Sequence, residues 1–246
     1  MVSKAFNPNR FEELSQRIAD APEPRQPVET VEDATRRAEK RVAAWKLMRE
    51  CEWKMFIKVR GERYRDCDFA NFDCPTEAHT IALDAAMKHS FGYPWPNMIF
   101  FGPKGTGKDH LLAASIRAAI YLSEDPKEHI TSAVWTTGAD LFAAVRDAIG
   151  TGESENELVQ RFVTPDILAI SDPVPTKRDA ITSHQADSLY RIIDRRYSSR
   201  LPIWITVNVA NREELSEKLG DVISDRLIHD AVAISCNWES YRQPKP

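Results

Sequence analysis

Short runs of apolar residues alternate with longer amphipathic segments along most of the chain. A short apolar run is typical of a strand buried on both faces, and an apolar residue at every third or fourth position is typical of a helix. Strands that alternate with helices form βαβ units, so the pattern predicts an α/β fold with a mostly parallel sheet between two helical layers. The predicted strands are Met98–Phe101, Ala133–Thr136, Ile167–Ile170, Ile203–Val207 and Val232–Ser235, and the predicted helices span residues 108–122, 138–149, 155–163, 182–199, 211–219 and 222–229.

The N-terminal part of the chain has a different pattern. Three prolines within residues 21–28 predict a linker, because proline fixes φ and lacks a backbone donor. Beyond it, helical spacing of apolar residues predicts an amphipathic helix with basic residues on its other faces. We therefore divide the chain into a helical, basic arm, residues 1–65, and an α/β domain, residues 66–246. The arm either packs as a solvated helix or binds a partner or nucleic acid. Its predicted apolar positions are Val31, Ala34, Ala38, Val42, Trp45, Met48, Met55 and Val59.

The net charge of the chain argues against nucleic-acid binding only when it is taken as a whole. The 246 residues include 33 Lys and Arg and 37 Asp and Glu, which gives a net charge of −4. Between Ala34 and Arg65, however, 11 basic residues face 4 glutamates, so this segment carries +7 and the remainder −11. Charges more than about 10 Å apart are screened from each other at ordinary salt, so the arm can attract an acidic partner.

Other sequence features narrow the location and the chemistry. No apolar run approaches the length of a membrane span, and the N-terminus does not resemble a signal peptide, so we expect a cytoplasmic protein without membrane association. Cys67, Cys74 and His79 do not have the spacing of a zinc site, and we expect no structural metal.

The segment GPKGTGKD carries the strongest chemical signal. It has the spacing G-x-x-x-x-G-K and lies between an apolar strand and a helix, which is the context that a phosphate-binding loop requires. The glycines let backbone N–H groups surround anionic oxygens, and the following helix adds the positive end of its dipole. Lys108 is predicted to reach the β- and γ-phosphates. The sequence therefore predicts a nucleoside triphosphate site formed by Gly102, Pro103, Lys104, Gly105, Thr106, Gly107, Lys108 and Asp109.

Two positions depart from the usual magnesium-binding pattern of such sites. Asp109 follows the lysine, where a Ser or Thr hydroxyl usually binds Mg²⁺. After the apolar run ILAI two acids are usual, one for Mg²⁺ and one that orients the attacking water, but Ser171 and Asp172 occur here. We hypothesise that Asp109 and Ser171 have exchanged roles as metal ligands and that Asp172 is catalytic. Two alternatives stay open: weakened or lost hydrolysis, and a register in which Asp172 binds Mg²⁺ and Pro173 takes the catalytic position.

Five motifs, in this order, resemble those of the bacterial replicative helicase loaders of the DnaC/DnaI type. They are GTGKDHLLAA, DILAISD, IIDRRYSSRLPIWITVN, KLGDVISDRL and NWESYR, and DFANFD fits the segment that precedes them. Such loaders are AAA+ ATPases, and the transposition helpers of the IstB type are close relatives. The resemblance covers about residues 60–246 and implies a P-loop NTPase fold of the AAA+, RecA-like kind. Only 11 residues follow Ser235, so we expect the form without a helical lid.

The resemblance also implies roles for three polar residues. Asn208 matches the sensor-1 residue that positions water near the γ-phosphate, and Arg242 in NWESYR matches the sensor-2 arginine. Arg226 in SDRL matches the arginine finger, which reaches the nucleotide of a neighbouring subunit and therefore implies self-association or a partner ATPase. A guanidinium can spread its charge over phosphoryl oxygens in the transition state. Arg195 and Arg196, in the third motif, are expected at a surface or an interface.

The leading functional interpretation is a loader of a replicative DNA helicase that binds and hydrolyses ATP with Mg²⁺. The arm would bind the helicase and the core would bind single-stranded DNA, with Lys177 and Arg178 as candidate contacts. One alternative is an IstB-like transposition helper that acts on duplex DNA and recruits a transposase. Another is a non-hydrolysing adaptor that uses the nucleotide as a switch, which Asp109 and Ser171 would favour.

Overall fold

A computed structural model describes residues 30–122, 131–151, 154–174 and 180–242. The chain divides into two compact units, Met1–Ala44 and Trp45–Pro246. The predicted linker at residues 21–28 and the DNA-contact candidates Lys177 and Arg178 lie outside the described residues. The domain boundary that composition suggests near Asp66 stays a prediction.

Among the described residues, five parallel strands form one sheet in the order β2-β3-β4-β1-β5. All five predicted strands are present, and β2 and β3 each extend one residue further than predicted. The parallel α/β arrangement is therefore confirmed. The strands are β1 (Met98–Phe101), β2 (Ala133–Thr137), β3 (Ile167–Ser171), β4 (Ile203–Val207) and β5 (Val232–Ser235).

The sheet separates two hydrophobic cores, because successive side chains of a strand point to opposite faces. Phe100 belongs to one core and its neighbour Ile99 to the other. All five residues of β3 and all five of β4 are buried, as expected for central strands covered on both faces. Full burial of one such large apolar side chain contributes about 1.5–3 kcal/mol.

Helices cover both faces of this sheet. After β5, no described residue up to Arg242 is helical. None of the described helices combines the length and the apolar character that crossing a membrane requires. The helices are α1 (Val31–Arg60), α2 (Glu77–Ser90), α3 (Lys108–Leu122), α4 (Gly138–Thr151), α5 (Glu155–Val163), α6 (Ser183–Ser198), α7 (Arg212–Leu219) and α8 (Asp221–Ile228), with 3₁₀ turns at Glu62–Tyr64 and Phe69–Asn71.

Helix α1 is present as predicted, but within the second unit it buries a different face. The spacing predicts Met48, Met55 and Val59 on the apolar face, yet they are exposed. The buried residues of the helix are Trp53, Phe56 and Ile57, which pack in the core that includes β1. Trp53 and Phe56 stack on each other with ring centroids 5.1 Å apart. Aromatic side chains bury more area than aliphatic ones, so the face of α1 that carries Trp53 and Phe56 is the one that packs.

Arg196 contradicts the expectation of a surface or interface pair. Its side chain is fully buried and donates hydrogen bonds to five backbone carbonyls, whereas Arg195 is half-buried and donates to Asn156. Burial lowers the pKa of Arg196 to about 10, and the charge of Asp166 partly opposes this shift. The guanidinium stays charged at neutral pH and ties together the segments that lead into β3 and β4. The accepting carbonyls belong to Phe162, Val163, Pro165, Asp166 and Pro202.

The strand order determines where the functional side chains meet. Strand β4 lies between β3 and β1, so the carboxyl ends of these three strands are adjacent. The glycine-rich loop follows β1, Asp172 follows β3, and Asn208 follows β4. Ligands of open parallel sheets bind outside the carboxyl ends of the strands, so this edge is the expected site.

Candidate functional site

The glycine-rich loop connects β1 to α3 and adopts backbone angles that favour glycine. Gly107 has a φ of 84°, and a Cβ atom at this residue would lie 2.8 Å from the ring of Phe72. Gly102 has a φ of 140°, and a Cβ there would collide with the carbonyl group of Cys236. These two glycines are therefore needed for backbone conformation and for close approach.

A cavity of about 550 Å³ opens beside this loop. Eight of the predicted site residues line it: Lys104, Gly105, Gly107, Lys108, Asp109, Asp172, Asn208 and Arg242. Ser171 borders the site through its hydrogen bond to Asp109. The structure thus brings together residues that are more than 100 positions apart in the sequence.

The side chain of Lys108 is predicted to bind phosphate, and it contacts the backbone of its own loop. Its Nζ donates hydrogen bonds to the carbonyls of Gly102 and Pro103, at 2.9 and 2.6 Å, and to Oδ1 of Asn208 at 3.0 Å. The side chain is buried, and the loss of hydration lowers the pKa of its amine. A cation held by neutral acceptors within the cavity is available to an anionic ligand.

Asp109 and Ser171, the two residues that depart from the usual pattern, contact each other directly. Oγ of Ser171 donates a hydrogen bond to Oδ1 of Asp109 at 2.8 Å, and Oγ1 of Thr206 donates to the same oxygen at 2.8 Å. Nε1 of Trp135 in turn donates to Oγ of Ser171 at 2.7 Å. The strand hydroxyls therefore fix the orientation of the helix carboxylate.

The other carboxylate oxygen of Asp109 points to residues that the sequence analysis did not identify. Oδ2 accepts a hydrogen bond from the hydroxyl of Tyr64 at 3.3 Å, and Nη2 of Arg60 lies 3.9 Å from it. Burial raises the pKa of Tyr64, and the charge of Asp109 raises it further, so the phenol stays protonated and can donate. No local motif signals these residues, because they precede the loop by about 40 residues and meet it only in the fold.

Asp172 lines the cavity and has an unusual backbone conformation. Its φ is 45°, and Nδ2 of Asn208 donates a hydrogen bond to its Oδ1 at 2.5 Å. Although Asp172 is exposed as a residue, partial dehydration of its carboxyl group raises the pKa, and the charge of Asp109 adds to the shift. Lys108 opposes it. Asn208 thus bridges Lys108 and Asp172, the two groups predicted to act on the triphosphate.

The segment after β5 packs against the phosphate loop. The backbone N–H of Tyr241 donates to the carbonyl of Gly105 at 2.9 Å, and Nε1 of Trp238 donates to that of Thr106 at 3.0 Å. The hydroxyl of Tyr241 donates to the carbonyl of Asp73 at 2.6 Å. These contacts bring the next residue, Arg242, to the cavity wall.

Arg226 does not line the cavity. Its Nε donates to Oδ1 of Asp194 at 2.9 Å, its Nη2 donates to the hydroxyl of Tyr190 at 3.2 Å, and the guanidinium lies 4.9 Å from the Tyr190 ring centroid. In this conformation Arg226 interacts with helix α6 of its own chain. A role on nucleotide would require it to leave Asp194.

The oxygen donors around the loop fit a magnesium ion. No group of three or more His, Cys, Asp and Glu side chains suited to a metal occurs among the described residues. Mg²⁺ in nucleotide sites is usually held by one or two carboxylates together with phosphate oxygens. Asp109 and Asp172, with the hydroxyls of Ser171 and Thr206 beside them, supply this kind of donor set.

Comparisons with known proteins agree with this architecture. The model of the IstB-like ATP binding protein family matches residues 30–245. The replicative helicase loader DnaC of Escherichia coli K12 is 29% identical over 183 residues, which cover 73% of this chain and 70% of that protein.

Solved structures show the same fold. The crystal structure of the DnaC helicase loader superposes with a TM-score of 0.62 at 16% identity, over 71% of this chain and 99% of that one. The DnaI crystal structure superposes with a TM-score of 0.56 at 18% identity, over 72% and 91%. These matches confirm the resemblance to helicase loaders and the AAA+ P-loop NTPase fold. The chain belongs to the family of IstB-like ATP-binding proteins.

Proposed function

We propose that this protein binds ATP with Mg²⁺ and loads a replicative DNA helicase. The observation that carries the proposal is the cavity at the phosphate loop, where Lys108, Asn208, Asp172 and Arg242 converge. The similarity to DnaC loaders supports the proposed role in helicase loading.

The residues of the cavity divide the chemistry of ATP binding and hydrolysis. Lys108 exchanges its carbonyl acceptors for phosphate oxygens, and Arg242 adds a second cation at the cavity wall. Asp172 orients the attacking water, and the amide of Asn208 holds the Asp172 carboxylate in place. Bound Mg²⁺, held through Asp109 with Ser171 or Asp172, would neutralise charge on the phosphates. The position of the attacking water and the transfer of its proton would then depend on the orientation of the Asp172 carboxylate.

The contact between Ser171 and Asp109 supports the exchange of roles between these residues. Ser171 and Asp109 are hydrogen-bonded to each other, so a hydroxyl and a carboxylate lie side by side as in the usual pattern, but with the carboxylate on the helix and the hydroxyl on the strand. Under this proposal Asp109→Thr or Ser171→Asp alone lowers Mg²⁺-dependent ATP turnover, because the site then has either one carboxylate fewer or two carboxylates in contact. The double change Asp109→Thr with Ser171→Asp restores turnover. Additive losses in the double variant contradict the exchange.

The arginine proposed as a finger requires a neighbour. Arg226 lies outside the cavity of its own chain, so a role in hydrolysis needs a second subunit or a partner ATPase. We propose that self-association draws the guanidinium of Arg226 away from Asp194 and Tyr190 and places it at the adjacent nucleotide. This proposal makes turnover dependent on protein concentration.

The remaining proposed partners are the helicase, which would bind the N-terminal arm, and single-stranded DNA. The segment from Ala34 to Arg65 carries a local charge of +7, which suits an acidic surface of a helicase or a nucleic acid. We propose the helicase as the partner of the arm and single-stranded DNA as the ligand of the assembled core. Basic grooves and stacking side chains are the general requirement for single-stranded binding.

A transposition helper is the second candidate, because the family whose model matches this chain is described as IstB-like. A pull-down distinguishes the two functions: a loader retains the replicative helicase, whereas a transposition helper retains a transposase and prefers duplex DNA. Retention of transposase without helicase would overturn the loader proposal.

ATP turnover with and without Mg²⁺, single-stranded DNA and helicase tests the enzymatic part. We expect turnover that requires Mg²⁺ and changes when helicase or DNA is added. Binding of ATP without turnover in any combination would instead establish a nucleotide-switched adaptor. Lys108→Ala should abolish binding under either outcome and serves as the site control.

A further inference from the structure

The carboxylate of Asp109 joins two parts of the second unit. Its Oδ1 accepts hydrogen bonds from Ser171 and Thr206 at the carboxyl end of the sheet. Its Oδ2 faces Arg60, the last residue of α1, and Tyr64, in the turn that follows. One carboxylate at the predicted metal position is therefore also the counter-charge for the end of the N-terminal helix.

Arg60 is a confined cation. Its guanidinium carbon lies 4.5 Å from the ring centroid of Trp135 and 5.1 Å from that of Tyr64, and the side chain is only 17% exposed. Within the described part of the chain, its Nε is buried and has no hydrogen-bond partner. A confined cation with an unsatisfied N–H depends on its counter-charge, and Asp109 supplies that charge.

A divalent cation at the phosphate loop needs the same counter-charge. We propose that Arg60 competes with nucleotide-bound Mg²⁺ for the carboxylate of Asp109 and thereby couples the end of helix α1 to the nucleotide site. The proposal rests on the proposed binding of ATP with Mg²⁺. Binding of the metal weakens the ion pair between Arg60 and Asp109. By linkage, a conformational change of α1 that moves Arg60 away from Asp109 strengthens metal binding by the same factor. Arg60 is a positioning residue in this scheme.

The geometry gives the competition a definite sign. Ser171 and Thr206 hold Oδ1 of Asp109 whether or not Arg60 is present, so removing Arg60 does not release the carboxylate. Removal does take a positive charge away from a position next to the metal. At a water-like dielectric constant, one unit charge about 6 Å from a divalent ion changes its affinity about tenfold. A purely structural role for Arg60 predicts the opposite change, weaker metal binding.

The test measures fluorescence of an ATP analogue bound to the full chain while Mg²⁺ is titrated. In Arg60→Gln the Mg²⁺ midpoint should fall about tenfold, whereas Arg60→Lys, which keeps the charge, should stay near the wild-type midpoint. Lys58→Gln removes an exposed cation from the same helical turn and should change nothing. Nucleotide binding in EDTA should be equal in all four proteins.

Hydrogen exchange gives a readout that does not depend on turnover. In the wild type, adding ATP analogue with Mg²⁺ should speed exchange of the amides around Arg60, and in Arg60→Gln exchange there should already be fast without ligand. If thermal melting shows that Arg60→Gln is not folded, the Mg²⁺ titration is carried out with Tyr64→Phe. That variant removes one donor to Asp109 and should lower the midpoint about threefold.

The outcomes separate this inference from the function on which it rests. A wild-type chain that binds no nucleotide overturns the proposed function. Nucleotide binding with an unchanged or raised Mg²⁺ midpoint in Arg60→Gln overturns the competition alone. Unchanged exchange around Arg60 on ligand addition also contradicts the coupling.

Discussion

The buried Arg196 gives a direct test of how the strands that carry the site are held. Two of the carbonyls that accept its hydrogen bonds belong to the last two residues of α5, two lie between α5 and β3, and the fifth, on Pro202, directly precedes β4. The perturbation is Arg196→Met, which keeps much of the side-chain length and removes the guanidinium. Five carbonyls then lose a charged donor at once.

The magnitude follows from two opposing contributions. Hydrogen bonds from a charged donor contribute about 1.5–3 kcal/mol each, so the gross loss is large. Part of it is offset because the variant no longer buries a cation, a cost that the lowered pKa of Arg196 reflects. Removing one partner from a buried charged network typically costs about 3–5 kcal/mol, and we expect a loss in this range.

Urea denaturation followed by circular dichroism measures the change in the free energy of unfolding. Arg195→Met is the matched control, because its guanidinium makes a hydrogen bond to Asn156 at a more exposed position, and its loss should stay below about 1 kcal/mol. If Arg196→Met loses no more than Arg195→Met, the guanidinium does not hold these segments and the reasoning is wrong.

Three further predictions concern the site and its surroundings. Gly107→Ala places a Cβ atom at a residue with a φ of 84° and against an aromatic ring. The variant should therefore be about 1–3 kcal/mol less stable and should bind nucleotide more weakly. Gly92 has open space around it, so Gly92→Ala should change neither quantity in the same assays. Thiol labelling at pH 8 should modify the exposed Cys51 first and reach Cys236, whose pKa burial raises to about 12, only after unfolding; rapid labelling of native Cys236 contradicts its burial. Arg226→Ala should lower ATP turnover only at protein concentrations that permit self-association, and turnover equal to wild type at every concentration rules out a shared site.

The sheet and the phosphate loop were predictable because their signals are local. Strand β3 is a continuous apolar run, and such a run is buried wherever a parallel sheet is covered on both faces. The loop at Gly102–Gly107 combines glycine positions with a strand before and a helix after, and each of these features is read within a dozen residues. The adjacency of Asn208 to Lys108 follows once the strand order is known.

The missed features depend on contacts across the fold. The apolar face of α1 was assigned by spacing alone, but Trp53 and Phe56 pack because Trp135 lies beside them, 5.5 Å from the Phe56 ring. Arg196 is indistinguishable from Arg195 in the sequence, and only the loops that close around it make it a buried donor. A charged residue beside an identical one carries no periodic signal of burial.

The pairing of Asp109 with Ser171 explains why neither departure is expected alone. The sheet presents Thr206 to Oδ1 of Asp109 and Trp135 to Oγ of Ser171, and both of these neighbours are hydrogen-bond donors. A hydroxyl at position 109 opposite Ser171 would leave Arg60 without its carboxylate, and an acid at position 171 opposite Asp109 would place two anions at hydrogen-bond distance. One hydroxyl and one carboxylate together accept the hydrogen bonds of these donors and add only one negative charge to the site. Since helix α1 supplies Arg60 as a cation 3.9 Å from Oδ2 of Asp109, the carboxylate on the helix side has a positively charged partner.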